Sequence, residues 1–138
     1  MYTVYLADDE QLIREGLAET IPWDSLGMNL IGTAEDGRQA LKEIRELKPD
    51  VVLTDIRMPY LDGLDLISKI REDHPSCRMV IITGHGEFTY AQSAIQLGVS
   101  DFVLKPIDVT SLCRTLGKLT QELDSEKHQQ NEVKEMRI

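Results

Sequence analysis

Five short runs of β-branched and aliphatic residues punctuate this chain, and each is followed by apolar residues at helical spacing. The runs are Tyr2–Ala7 (YTVYLA), Leu30–Ala34 (LIGTA), Val51–Leu53 inside DVVLTDIRMP, Met79–Thr83 (MVIIT) and Ser100–Leu104 (SDFVL). They are too short for helices and too apolar for surface strands, so they read as strands buried on both faces. Strands alternating with helices over short connections imply a parallel sheet whose crossovers cover both of its sides. Right-handed crossovers then bring all five strand ends to one edge. The predicted fold is α/β, a doubly wound five-stranded parallel sheet in three layers with five helices.

The helices follow the same reading. Leu12, Ile13, Leu17 and Ile21 recur at helical spacing up to Pro22, and Trp23 to Gly27 (WDSLG) forms a turn-rich connector. Ala40, Leu41, Ile44 and Leu47 mark a second amphipathic helix that ends before Pro49. Leu64, Ile67 and Ile70 mark a third, stopping at His74-Pro75. Phe88, Ala91, Ala94, Ile95 and Leu97 form a weaker pattern closed by Gly98. Leu112, Leu116, Leu119 and Leu123 fall on one stripe of the last helix. The polar tail DSEKHQQNEVKEMRI keeps only Val133, Met136 and Ile138 of that seam, with Gln130 weakening it. Residues 1–122 therefore read as the domain and 123–138 as a helical extension or linker.

The strand ends carry the chemistry. Asp8 and Asp9 follow the first strand, Asp55 ends the third, Thr83 the fourth, and Lys105 follows the fifth. A carboxylate at the carboxyl end of a buried parallel strand lies where open α/β sheets bind ligands. Met58-Pro59 then stops regular structure, since proline has no N–H to donate and disfavours a helical residue before it. Three carboxylates at ~4 Å and an effective dielectric of ~20 repel by about 4 kcal/mol per pair. Either one takes a proton or a divalent cation binds, and an all-oxygen site with room for water suits Mg2+. Asp55 then reads as a nucleophile that accepts a phosphoryl group, with Lys105 and Thr83 stabilising its equatorial oxygens. Taken singly, each residue has an ordinary role: helix-terminus charge for Asp8 and Asp9, turn or cap for Asp55, solvated surface for Lys105. Their conjunction at four of five strand ends is what points to one site.

Composition closes off other classes. Over 138 residues, 24 acidic against 15 basic side chains give a formal net charge of −9, which repels nucleic acid and anionic membrane. Cys77 and Cys113 have no disulfide or metal-ligand spacing and read as small buried hydrophobes in a reducing compartment. There is neither a basic start followed by an apolar run nor any apolar stretch near the ~20 residues that span a bilayer. A cytoplasmic location is expected.

The acidic pair, TDIRMP with the following Asp62-Gly63, the threonine after the fourth strand and Lys105-Pro106, in that order, resemble a response-regulator receiver domain of the CheY-like, flavodoxin-like kind. The resemblance covers about residues 1–120. It implies strand order 2-1-3-4-5 and phosphotransfer to Asp55 from a sensor histidine kinase in a Mg2+-dependent reaction, with 4-aspartylphosphate as the product. It further implies metal ligation by Asp9, Asp55 and the backbone carbonyl of Arg57, with Asp8 acting through water, and a cis Lys105–Pro106 bond. Thr83 and Phe102 would form the switch, the aromatic ring turning inward when Thr83 moves toward the phosphoryl group. Arg57 and His85 would flank the site. No enzymatic activity is expected beyond the domain's own phosphorylation and dephosphorylation.

The connector PWDSLG resembles receivers that precede AraC-type DNA-binding domains in two-component transcription regulators. DNA contact is thus expected only through a downstream domain absent from this chain, and a homodimer through the last two helices and the fifth strand is a possible assembly. Two other readings stand beside this one, the first of them on the same fold. One is a phosphorylation-independent interaction module. The other is a Mg2+-dependent aspartyl-phosphate hydrolase, which would want a carboxylate where Arg57 stands.

Overall fold

Alternating strands and helices fold as β1 (Tyr2–Ala7), α1 (Gln11–Thr20), a 3-10 turn (Asp24–Leu26), β2 (Met28–Ala34), α2 (Gly37–Leu47), β3 (Val51–Asp55), α3 (Gly63–Asp73), β4 (Arg78–Thr83), α4 (Phe88–Gln96), β5 (Asp101–Leu104) and α5 (Val109–Met136). The computed structural model describes residues 1–84 and 88–136. All strand pairings are parallel and the sheet order is β2-β1-β3-β4-β5, as the resemblance implies.

The strict two-residue alternation of strand side chains splits the core in two. Tyr5, Ala7, Val52, Met79 and Ile81 face one side and pack on Ala40 and Ile44 of α2, Leu66, Ile67 and Ile70 of α3, and Ala94 of α4. Val4, Leu6, Val51, Leu53, Val80 and Ile82 face the other side and pack on Leu17 of α1 and Leu112, Leu116 and Leu119 of α5. Both faces of the central strands are therefore dry, and β1, β3 and β4 have no solvated side to supply alternating polar residues.

Three sequence expectations change in detail. β2 starts at Met28 rather than Leu30, because Met28 donates to Trp23 O at 2.9 Å and pairs in register with Tyr2 of β1. Leu12, placed on the helical apolar pattern, is 85% exposed, since Ile13 and Leu17 already occupy the inward stripe of α1. Cys77 is buried but Cys113 only partly so.

α5 continues as helix well past residue 122, and at ~1.5 Å per residue its 28 residues span about 42 Å. Three side-chain ties hold it to the amino-terminal end of the sheet and the connector. Thr120 Oγ1 donates to Leu26 O at 2.9 Å, Tyr2 Oη donates to Asp124 Oδ1 at 2.6 Å, and Arg78 pairs with Glu126. No helix among the described residues is long and apolar enough to cross a membrane.

Candidate functional site at the carboxyl edge of the sheet

Parallel pairing places the last residues of β1, β3, β4 and β5 side by side. Ala7 is level with Thr54, Asp55 with Ile82, and Thr83 with Leu104. Each strand then hands its next side chain to the same edge. Asp8 is fully buried, Asp55 is 4% exposed and Thr83 is 1% exposed.

Lys105 ties the edge together. Its ammonium donates to Asp55 Oδ2 at 2.9 Å and to Glu10 Oε1 at 2.8 Å, with Asp8 Oδ2 at 3.5 Å. Its own backbone N–H donates to Thr83 O at 2.8 Å, which fixes the lysine's position relative to β4. The Lys105–Pro106 bond is cis. Asp8, Asp9, Glu10 and Asp55 each offer a carboxylate oxygen, all within 4.8 Å of one another.

The crowding of carboxylates around one ammonium shows in Asp8, Asp55 and Lys105. Burial pushes Asp8 up to about 6, helped by Asp55 and Glu10 and opposed by the Glu10 N–H and Lys105. Burial also raises Asp55 above the usual carboxylate range, with Lys105 and the Arg57 N–H opposing and Asp9 reinforcing. Burial alone would lower Lys105, but its bonds to Glu10 and Asp55 win and raise it, so it stays charged. Asp8 Oδ1 accepts the Glu10 N–H at 2.9 Å, whereas Asp8 Oδ2 is buried and accepts no hydrogen bond. A buried carboxylate oxygen without a donor, beside three more carboxylates, fits a hard divalent cation that prefers oxygen ligands.

The loop after β3 is held by contacts that exclude a side chain. A Cβ on Gly63 would lie 2.1 Å from Asp55 O, and one on Gly37 would lie 1.8 Å from Leu61 O. The Gly63 N–H donates to Ile56 O at 2.6 Å, and Asp62 caps α3 by accepting the Asp65 N–H at 2.9 Å. The Asp62-Gly63 pair thus seats α3 directly against the backbone of the residue that carries the central carboxylate.

The structure brings together Asp8, Asp9, Asp55 and Lys105, and links Thr83 to Lys105 through the backbone. Arg57 stands on the loop after β3 with an exposed side chain. Phe102, on β5, is 40% exposed, so it is not core in this state. His85 lies outside the described residues. Glu10, the N-cap of α1, is the participant missed in the sequence. Its place directly after the acidic pair is the signal that was available. Its extended backbone (φ −88°, ψ 111°) and the absence of a cap bond from its side chain leave the carboxylate able to turn back over the strand edge.

The sequence pattern of the response regulator receiver domain matches residues 4–117. This chain belongs to that family, the receiver domains of two-component response regulators. The chain is 42% identical over 123 residues to the uncharacterized transcriptional regulatory protein YesN of Bacillus subtilis (strain 168), covering 89% of this chain and 33% of that protein. It is equally 42% identical over 123 residues to the transcriptional regulatory protein HptR of Staphylococcus aureus (strain NCTC 8325 / PS 47), covering 89% of this chain and 48% of that one. Among solved structures, the REC domain of AraT, a response regulator from Geobacillus stearothermophilus, superposes with a TM-score of 0.88 at 43% identity, over 91% of this chain and 98% of that one. The chain thus spans between a third and about half of these curated relatives.

Proposed function

We propose that Asp55 accepts a phosphoryl group from the phosphohistidine of a sensor histidine kinase in a Mg2+-dependent reaction, and that the aspartyl phosphate switches an output surface. The observation that carries this is the bond from Lys105 to Asp55 inside a carboxylate cluster that still has one buried, undonated oxygen, Asp8 Oδ2. Asp9, Asp55 and the backbone carbonyl of Arg57, with Asp8 through water, would hold the cation. When bound, it supplies positive charge for the oxygens of the phosphoryl group in transfer. Asp55 Oδ attacks phosphorus as the P–N bond to the donor histidine breaks, and the bond electrons leave with the imidazole. Lys105 and the Thr83 hydroxyl take up charge on the equatorial oxygens. The alternation of Thr83 and Phe102 then conveys the change, starting from the outward, 40% exposed position of Phe102.

The donor's approach is supported by an apolar groove of about 570 Å³ between α1 and the start of α5. Leu12, Ile13, Leu17, Pro106, Ile107 and Val109 line it, and Glu10 and Lys105 border both the groove and the site. A kinase helix seated on exposed Leu12 would lie in the groove that Lys105 borders, and Lys105 bonds Asp55 at 2.9 Å. On the output side, Ile95, Phe102 and Leu104 are exposed on adjoining elements and support a homodimer through α4, β5 and α5. Residues 1–122 act as the receiver and 123–138 as the extension or linker toward a DNA-binding regulator domain. The support is that the relatives bear names of transcriptional regulators and are two to three times as long as the matched part. The setting is the cytoplasm.

Incubation with Mg2+ and a small phosphodonor, read by intact mass, tests the proposal. A lasting gain of one phosphoryl group that is lost in Asp55→Asn is expected. Steady hydrolysis of the donor without accumulation would favour a hydrolase, and no reaction would favour a phosphorylation-independent interaction module.

A further inference from the structure

We propose that Glu10 is a positioning residue that detains Lys105 in the unphosphorylated site and competes with the phosphoryl group for it. The proposal rests on the reading of Asp55 as the phosphoryl acceptor. An ammonium has three donors. Here two are engaged by Asp55 Oδ2 and Glu10 Oε1, and the third side of the ammonium faces Asp8 Oδ2 at 3.5 Å. A phosphoryl oxygen that approaches Lys105 therefore competes for the ammonium with carboxylates already around it.

Glu10 is the partner built to yield. Asp8 is fully buried and anchored through Oδ1 by the Glu10 N–H, and Asp55 is itself the group being modified. The Glu10 side chain is 57% exposed, at the mouth of the site. It makes no cap bond to α1, so releasing Lys105 leaves the start of that helix intact. Phosphorylation replaces the single charge of Asp55 with about −1.5 to −2. That charge draws the ammonium away from Glu10 and repels the Glu10 carboxylate at the same time.

Glu10 therefore acts with opposite sign on the two ligands of the site. Toward a divalent cation alone it is a fourth nearby negative charge and strengthens binding. Toward a phosphoryl-like anion it is a repelling charge and a rival for the lysine. A residue that merely supported the fold would shift both affinities the same way.

The test is calorimetric titration of the wild-type chain, Glu10→Gln and Glu10→Asp, first with Mg2+ alone and then with beryllofluoride at saturating Mg2+. For Glu10→Gln the Mg2+ dissociation constant is expected to rise and the beryllofluoride constant to fall, each by about three- to fivefold, the scale of a largely exposed ion pair. Glu10→Asp, which keeps the charge, is expected to stay within about twofold of wild type for Mg2+. Constants that move in the same direction, or that do not move, would overturn the role given to Glu10. A wild-type chain that binds no beryllofluoride at all would instead overturn the acceptor reading beneath it.

Discussion

The backbone oxygen of Asp55 lies 2.1 Å from the place a Cβ would take on Gly63. No side-chain rotamer relieves that overlap, because the obstructing atom is main chain on both sides. Gly63→Ala must push α3 away from the end of β3, and the residue that moves is the one carrying the central carboxylate. The variant is expected to lose about 2–3 kcal/mol in urea unfolding and to phosphorylate more slowly. An unchanged midpoint would mean that the loop relaxes freely and does not hold Asp55.

Asp8 gives a prediction in pH. Its folded value, about 6, lies above the ordinary carboxylate value of 3.8, so the folded chain binds a proton that the unfolded chain releases. In the absence of metal, ionised Asp8 thus works against the fold above pH 6, and that penalty disappears as pH falls toward 4. Asp8→Asn is expected to be more stable than wild type by about 1–3 kcal/mol at pH 7 without metal, and to lose the advantage near pH 4. Addition of Mg2+ at pH 7 is expected to reverse the order, since wild type keeps the ligand oxygens. Paired denaturant titrations at the two pH values check both statements.

Leu12 separates the donor's docking from the chemistry. It is 85% exposed on the rim of the groove beside Lys105. Leu12→Ala is expected to lower the ratio of kinase-driven to small-donor phosphorylation by about tenfold, the cost of truncating a buried interface anchor. A ratio equal to that of wild type would place the kinase on another face.

Tyr2 tests the mounting of the last helix. Its hydroxyl donates to Asp124 Oδ1, and that bond, with burial and nearby acids, pushes the phenol up to about 12. Tyr2→Phe is expected to change global stability by less than about 1 kcal/mol while speeding amide exchange in α5 after Thr120. Exchange that is unaltered there would show that the tie to Glu126 suffices alone.

The strand-end residues were legible because each is a single polar group directly after an apolar run, and the topology of a parallel sheet does the rest. Asp55 and Lys105 lie 50 residues apart in sequence yet need only the sheet edge to meet. Glu10 was hidden by its double membership, since the first helical turn and the acidic cluster both claim it. Leu12 was misplaced because spacing identifies a stripe but not its width, and Ile13 and Leu17 already fill the inner side. Local reading left the polar tail open between helix and linker, because Tyr2 and Arg78, which tie it down, stand 122 and 48 residues away.

The fastening of α5 to the far pole of the sheet sets what a signal can do there. Val109 opens the helix close after Lys105, while Asp124 and Glu126 moor its middle to β1 and β4. Leu112, Leu116 and Leu119 bed the inner arm on the sheet, so the outer arm of about 18 Å beyond Asp124 projects along a line that the core sets. Whatever meets the helix near residue 136 is thus held at a set bearing to the sheet, and to shift it the carboxyl edge must move the whole rod.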